Sequence, residues 1–140
     1  MLKKVIIDHN VHFSAIYTQD SLTRQKLMTA PFPVYTPNYL ILELFKHRQR
    51  IVSRSKASEE EILSYLDKVI QKVHFFNEEL MSIEKFVEAY HLCREVDEND
   101  TTYVALTLEM DGLLWTRDEE LKNGLRQKGF DNFFDESSLP

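Results

Sequence analysis

Short apolar runs alternate along the chain with longer stretches that have the spacing of amphipathic helices. The first run, residues 5–7, is β-branched and has no polar alternation, which favours a strand covered on both faces. Runs at 32–35, 74–76 and 113–115 predict three further short strands. Because predicted strands and helices alternate, we expect an α/β domain with a mainly parallel sheet.

Capping signals mark the starts of two predicted helices. Thr36 and Pro37 predict a helix start, with Thr as the N-cap and Pro at the first helical position. Ser58 and Glu61 have the spacing of a capping box. A third helix is predicted over 82–96. The positions expected to face the core in these three helices are Leu40, Ile41, Leu44 and Phe45, then Ile62, Leu66, Val69 and Val73, then Ile83, Phe86, Val87, Tyr90 and Cys93.

Other signals bound the helices near the two ends of the chain. Residues 11–28 are expected to be helical, with a break near 18–20. Toward the other end, residues 97–100 interrupt one helix and precede another, which Gly112 is expected to end. Gly129 suits the C-terminal cap of the last helix, because glycine adopts the left-handed conformation without steric cost.

Length and composition favour a single domain. The chain has 140 residues, of which 43% are apolar, and its net charge of −6 argues against coating nucleic acid by bulk charge. Cys93 is the only cysteine, so no internal disulfide is possible and a reducing cytoplasm is the expected location. No apolar run is long enough to span a membrane. We expect one domain over 1–134 and a frayed tail over 135–140.

Acidic residues fall where an open α/β sheet normally builds its functional site. Asp8 follows the first predicted strand, Asp118 lies just beyond the last one, and Asp100 begins the helix that feeds it. Glu43 lies in the helix after the second strand, beside its apolar stripe. Converging carboxylates repel by roughly 1 to 4 kcal/mol per close pair, and a bound divalent cation normally offsets this. All-oxygen ligands favour Mg²⁺ or Mn²⁺, which suggests a metal-dependent nuclease.

Three stretches of the chain resemble the PIN-domain ribonucleases, whose best-known members are VapC-like toxins of type II toxin–antitoxin pairs. Residues 5–11, reading VIIDHNV, look like the first strand of that family with its Asp and Asn. Residues 39–44 look like the helix that supplies its glutamate. Residues 97–118 are similar to its pattern of Asp, alanine-containing helix, short strand and Thr-x-Asp. The resemblance extends from the first strand to about Gly129.

The resemblance implies a fold, an activity and a set of site residues. The fold would be a three-layer α/β/α sandwich around a short, mainly parallel sheet. The activity would be hydrolysis of RNA phosphodiester bonds by metal-activated water, with Mg²⁺ or Mn²⁺ as cofactor and an antitoxin protein as a partner. The catalytic and metal-binding residues would be Asp8, Glu43, Asp100 and Asp118, with Asp97, Thr116 and Asn10 as auxiliaries.

Several of these residues have structural alternatives. Asp8 suits an Asx turn at a strand end, although its combination with the other acids favours the site. Asp97 suits a helix N-cap better than a catalytic role. Thr116 and Glu119 match a capping box that would place Asp118 in the first helical turn. Glu43 is the least certain member, since on the surface it would pair with His47 or Lys46.

Histidines near the first strand and Trp115 are assigned no catalytic role. His9 stands where the family commonly has a small or hydroxyl residue, and it could alter access or pKa at the site. His9 and His12 are expected to be structural or close to the substrate, since metal-activated water needs no histidine base. Trp115 is expected in the core.

A basic run without acids follows the glutamate helix and is the expected RNA contact. The alternatives are a solvated helix end and a docking surface for an acidic partner. A homodimer is expected because Phe13, Tyr39 and Leu40 exceed what one small core buries. The alternative function is a non-catalytic PIN-like module that binds RNA or protein. The basic residues of the run are Lys46, Arg48, Arg50, Arg54 and Lys56.

Overall fold

A four-stranded parallel sheet forms the centre of the fold. The computed structural model describes residues 4–17, 22–54 and 58–139. The strands are β1 (Val5–Ile7), β2 (Val34–Pro37), β3 (His74–Phe76) and β4 (Leu113–Trp115), in the order β3-β2-β1-β4. All three pairings are parallel, so the carboxyl ends of the strands lie at one edge of the sheet.

Eight helices accompany these strands in the described parts of the chain, and none of them is long and apolar enough to cross a membrane. Short 3₁₀ turns occur at Glu78–Leu80, Glu98–Asp100 and Glu136–Ser138. The helices are α1 (His9–Tyr17), α2 (Leu22–Thr29), α3 (Tyr39–Lys46), α4 (Arg48–Arg54), α5 (Glu59–Lys72), α6 (Ile83–Cys93), α7 (Thr101–Met110) and α8 (Glu119–Gln127).

The two faces of the sheet bury separate hydrophobic cores. Val5 and Ile7 of β1 join a core with side chains of α1, α2, α4 and α5. Ile6, which points to the opposite face because strand side chains alternate, joins a core with α6, α7 and α8. Helices therefore cover both faces, and the expected three-layer α/β/α sandwich is confirmed.

Several local predictions are confirmed. The predicted strands at 5–7, 74–76 and 113–115 are present. Ser58 accepts a hydrogen bond from the amide of Glu61 over 3.2 Å and so caps α5. Gly129 has a positive φ of 93° after α8, as its predicted cap role requires. The break near 18–20 lies outside the described residues, between α1 and α2.

The second strand lies two residues further along the chain than predicted, at 34–37 instead of 32–35. Thr36 and Pro37 do not start a helix but are the last residues of β2, and Asn38 precedes α3. The hydroxyl of Thr36 donates to the carbonyl of Ile7 over 3.2 Å, which ties β2 to β1. Pro37 has no amide hydrogen to donate, and the pairing with β3 continues through the next amide, of Asn38, which donates to the carbonyl of Phe76 over 3.0 Å.

The inward face of α6 differs from the prediction. Ile83, Phe86, Val87 and Tyr90 are exposed, and Ile83 is the most exposed at 81%, whereas Cys93 is buried as predicted. Ala89 is also buried, and both residues belong to the core that α6 shares with α7. Small side chains on the packing face allow two helices to approach closely, so the large apolar residues of α6 lie outside.

The apolar stripe of α3 is also only partly buried. Leu40 is buried and Leu44 half-buried, but Ile41 and Phe45 are exposed. Their side chains line an apolar groove of about 400 Å³ together with residues of α4 and α5. Conversely, Phe13 and Leu40, two of the three residues behind the expected homodimer, are buried in the fold, which removes that argument for dimerisation.

Two expectations near the ends of secondary structure elements need correction. Helix α7 ends at Met110 and its C-cap is Asp111, whose φ is 49°, so the left-handed residue is not Gly112. A Cβ at Gly112 would lie 2.6 Å from the carbonyl oxygen of Lys4, so this glycine permits a close backbone approach. The expected frayed tail is folded back in its described part, where Glu136 accepts two hydrogen bonds from Arg117, at 2.8 and 2.9 Å.

Candidate active site

Asp8 lies at the carboxyl end of β1, fully buried. Its amide donates to the carbonyl of Trp115 in β4 over 3.3 Å. Its Oδ1 accepts a hydrogen bond from the amide of Val11 over 3.0 Å and so caps the first turn of α1, whereas Oδ2 has no partner in the described part of the chain. Burial raises the pKa of Asp8, although the hydroxyl of Thr116 and the Val11 amide oppose this. The capping bond uses only Oδ1, so a structural role for Asp8 is compatible with a place at the carboxylate site.

Asp100 ends the 3₁₀ turn Glu98–Asp100 and directly precedes α7. Its side chain is buried, and its Oδ1 has no hydrogen-bond partner among the described residues. Burial, and then the negative charges of Asp8, Asp97, Asp118 and Glu43, together raise the pKa of Asp100 to about 8. The carboxylates predicted from the sequence therefore lie in one region, at the carboxyl edge of the sheet.

Asp118 follows β4 and is the N-cap of α8. Its carboxylate accepts a hydrogen bond from the amide of Leu121 over 3.1 Å. The capping box predicted for Thr116 is therefore wrong, because Thr116 lies two residues before the cap. Its buried hydroxyl accepts from the amide of Asp118 over 3.2 Å and bonds to the side chain of Asp8. Thr116 thus connects the two acids at the ends of β1 and β4.

Glu43 is buried, not on the surface. Its Oε2 lies 3.4 Å from Nε2 of His47, one helical turn further along α3. The hydroxyl of Tyr39 also hydrogen-bonds to Glu43, and burial and this bond raise the pKa of Tyr39. The pairing with His47, which was predicted for a surface position of Glu43, is present. Glu43 nevertheless lies on the buried side of α3.

Two of the three auxiliary residues, Asp97 and Asn10, lie at helix starts. Asp97 is exposed and accepts a hydrogen bond from the amide of Asn99 over 3.0 Å, which matches the capping role favoured for it. Asn10 is half-buried in the first turn of α1, and no hydrogen bond of its side chain occurs within the described residues. Asp97 nevertheless raises the pKa of Asp100 through its charge, and the auxiliary roles of Asp97 and Asn10 remain predictions.

The four carboxylates provide the oxygen ligands and the negative charge that a hard divalent cation prefers. Asp8 and Asp100 each keep a buried carboxylate oxygen without a partner, and Glu43 and Asp118 supply further carboxylates. Within residues 4–17, 22–54 and 58–139, however, no three His, Cys, Asp or Glu side chains are gathered closely enough to hold an ion. The four carboxylates thus share a region without forming a finished coordination shell.

Tyr103 belongs to this region and was not identified from the sequence. Its side chain is fully buried, and its hydroxyl has no hydrogen-bond partner in the described part of the protein. Its ring contacts those of His9 and Tyr39, with centroids 5.6 and 6.4 Å apart. Its spacing of three residues from Asp100 would have been the available signal, because residues i and i+3 share a helix face.

The two histidines near β1 occupy different environments. His12 is buried, and burial together with the charge of His9 lowers the pKa of His12 to about 3, so it is neutral at physiological pH. His9 is half-buried, and its ring also packs edge-on against Phe13 with centroids 5.5 Å apart. These contacts agree with structural roles, as expected for both residues.

The basic run starts beside the carboxylates. His47, which contacts Glu43, lies between Lys46 and Arg48, and the run then follows α4 away from this point. The side chains of Lys46, Arg48, Arg50 and Arg54 are exposed, whereas Lys56 lies outside the described residues.

Comparisons with known proteins agree with this fold. A chain of the crystal structure of VapBC2 from Rickettsia felis, bound to a DNA fragment from their promoter, aligns with a TM-score of 0.61 and 17% sequence identity. The alignment covers 86% of this chain and 92% of that one. No curated protein matches the sequence. The PIN domain family model matches residues 6–135, and the chain therefore belongs to the PIN domain family.

Proposed function

We propose that the chain is an endoribonuclease that depends on Mg²⁺ or Mn²⁺ and hydrolyses RNA phosphodiester bonds. The observation that carries this proposal is Asp100, a buried acid whose Oδ1 has no partner among the described residues and whose pKa is raised by burial and by the charges of four other carboxylates. Such mutual repulsion is unfavourable without a cation, and perturbed carboxylates in one region are typical of functional sites. Membership of the PIN domain family supports the same conclusion.

Asp8, Glu43, Asp100 and Asp118 would hold the cation. When bound, the cation would neutralise the carboxylates, activate water and stabilise the charge that develops on the phosphate. The partnerless oxygens of Asp8 and Asp100 are available for it. The Thr116 hydroxyl, which lowers the pKa of Asp8, would help to orient the Asp8 side chain.

Glu43 is oriented independently of the other three acids. Tyr39 and His47 bond to its carboxylate, so Glu43 is restrained although it lies on a helix and not at a strand end. Restrained ligands favour binding, because fewer side-chain rotamers are lost when the ion is held.

The basic run is proposed as the RNA-binding surface. Its exposed members are Lys46, Arg48, Arg50 and Arg54, and Lys56 continues it in the sequence. On a chain with a net charge of −6, phosphate binding requires such a local concentration of positive charge. Because the run begins next to His47 and Glu43, RNA bound along it would pass the carboxylates.

A protein partner of the antitoxin class is a second part of the proposal. The apolar groove between α3, α4 and α5 leaves Ile41 and Phe45 exposed, as are Leu63 and Ile70 of α5, and this suits the apolar face of a partner helix. The matched structure is that of VapBC2 bound to a DNA fragment from their promoter. A partner that binds here should lose affinity when Phe45 is replaced by Ser, whereas Leu80→Ser, on a different surface, should have no effect.

The cleavage experiment uses purified protein and mixed RNA with Mn²⁺, with Mg²⁺ and with EDTA. Cleavage should require a metal and should be lost in Asp8→Asn and Asp100→Asn, after circular dichroism shows both variants to be folded. A cytoplasmic location follows from an RNA substrate and is part of the proposal. RNA binding without cleavage in any metal would contradict the enzyme proposal and favour a non-catalytic binding module.

A further inference from the structure

The Tyr103 hydroxyl is a buried donor without an acceptor. Its side chain is 0% exposed, and no hydrogen bond to the hydroxyl occurs among the described residues. Buried polar groups are nearly always hydrogen-bonded, so an unpaired hydroxyl needs an explanation. The ring itself is well packed, between His9 and Tyr39, and belongs to the core shared by α6, α7 and α8.

Three carboxylates lie near enough to this donor for their charges to affect its pKa. Burial raises the pKa of Tyr103, and the charges of Glu43, Asp8 and Asp100 raise it further, which places three carboxylates near the phenol. The hydroxyl therefore stays protonated at all physiological pH values and is available only as a donor to these groups. Two of the three acids, Asp8 and Asp100, also have an unpartnered oxygen.

We propose that Tyr103 is a positioning residue whose hydroxyl donates a hydrogen bond to one of the carboxylates that would hold the cation. This inference rests on the proposed function. The buried hydroxyl without a partner and the unpartnered oxygens of Asp8 and Asp100 both lie in this region of the fold. Partners that orient metal ligands commonly change metal affinity by 10- to 100-fold.

The variant Tyr103→Phe removes the hydroxyl and keeps the ring. A matched control is Tyr65→Phe, because Tyr65 is also buried and its hydroxyl also has no hydrogen bond within the described residues. Tyr65 packs on the other face of the sheet, where its ring lies 4.6 Å from the guanidinium carbon of Arg24. The two substitutions are thus chemically identical and differ in their distance from the carboxylates.

Mn²⁺ binding to the metal-free proteins is measured by calorimetry, and thermal unfolding is measured without metal. We expect Tyr103→Phe to weaken Mn²⁺ binding about tenfold or more, with an unchanged or higher melting temperature, because the hydroxyl it removes is unpaired before metal binds. Tyr65→Phe should leave Mn²⁺ affinity within about twofold of the wild type.

The outcomes separate this inference from the proposed function. If the wild-type protein binds Mn²⁺ and Tyr103→Phe binds it equally well, the positioning role is overturned while the metal site remains. A fall in the metal-free melting temperature without a loss of Mn²⁺ affinity would also overturn it, by assigning the hydroxyl to the fold. If the wild-type protein binds no Mn²⁺, the proposed function and this inference both fail.

Discussion

The amide of Asp8 donates a hydrogen bond to the carbonyl of Trp115 over 3.3 Å. This bond continues the β1–β4 pairing by one residue beyond the strand and sets Asp8 beside the segment that leads to Asp118. Thr116 then connects the two acids through its hydroxyl. The convergence of these acids is therefore a direct consequence of parallel pairing between the first and last strands of the sheet.

The raised pKa of Asp100 predicts how the stability of the metal-free protein depends on pH. An acid whose folded pKa is about 8 binds a proton in the folded state that the unfolded chain releases near its ordinary value of 3.8. Its stabilising contribution is complete below about pH 4 and is lost as pH rises toward 8. We expect the free energy of unfolding in urea to decline over this range.

Asp100→Asn isolates that effect from other titrating groups, such as His12. The wild-type protein should lose more stability than the variant between pH 5 and about 8, so Asp100→Asn should be the more stable protein at the upper end. Parallel stability curves for the two proteins would show that Asp100 ionises normally.

Glu43→Gln tests the charge of Glu43 separately from its packing. Gln is nearly isosteric and keeps an oxygen that can accept from Tyr39, so we expect the metal-free melting temperature to change by no more than about 2 °C. Cleavage should fall by at least about tenfold, because one charged cation ligand is lost. The rates are compared at saturating Mn²⁺. Undiminished cleavage would remove Glu43 from the site and leave it a structural partner of His47.

The basic run should determine the salt dependence of RNA binding. Replacing both Arg50 and Arg54 with Ala should reduce the slope of log affinity against log salt by about 1.4, since each phosphate contact on single strands contributes about 0.7. Lys68→Ala, an exposed cation on α5, is the control and should leave the slope unchanged. Binding is followed by fluorescence anisotropy in the metal-free state. Equal slopes in all three proteins would place RNA elsewhere.

Gly112 should be among the least replaceable residues of the fold. In Gly112→Ala the new Cβ would lie 2.6 Å from the Lys4 carbonyl, a backbone atom that can move only with β1. We expect a loss of roughly 1 to 3 kcal/mol in the free energy of unfolding. Gly124→Ala is the comparison, because its nearest neighbour is the movable side chain of Val96. Equal losses at the two sites would contradict this explanation.

The strands and the acids could be predicted because their signals are local. A β-branched run such as 5–7 can hardly form another element, and acids that follow parallel strands meet wherever the sheet is formed. The same holds for Ser58, whose cap involves only the next helical turn. The fold class followed from these elements together with their order.

The predictions that were wrong concern residues whose environment is determined by tertiary packing. The sequence of α6 offers a large apolar face and a small one, and only the presence of α7 determines that Ala89 and Cys93 are buried. Thr36 and Pro37 carry a valid helix-start pattern, but β3 provides an acceptor for the next amide and extends the strand. In the sequence, Tyr103 is one aromatic residue of an apolar helix. Its relation to the site depends on the fold, which brings three carboxylates near its hydroxyl.

Calorimetric titration of Mn²⁺ into the metal-free protein at pH 7, in two buffers with different ionisation enthalpies, tests the central claim most directly. Asp100, with a pKa of about 8, is mostly protonated at this pH and must ionise to bind a cation. We therefore predict binding with release of about one proton, and a loss of both in Asp100→Asn. Absence of Mn²⁺ binding at millimolar concentration, or equal binding by Asp100→Asn, would contradict the assignment of these carboxylates as a metal site.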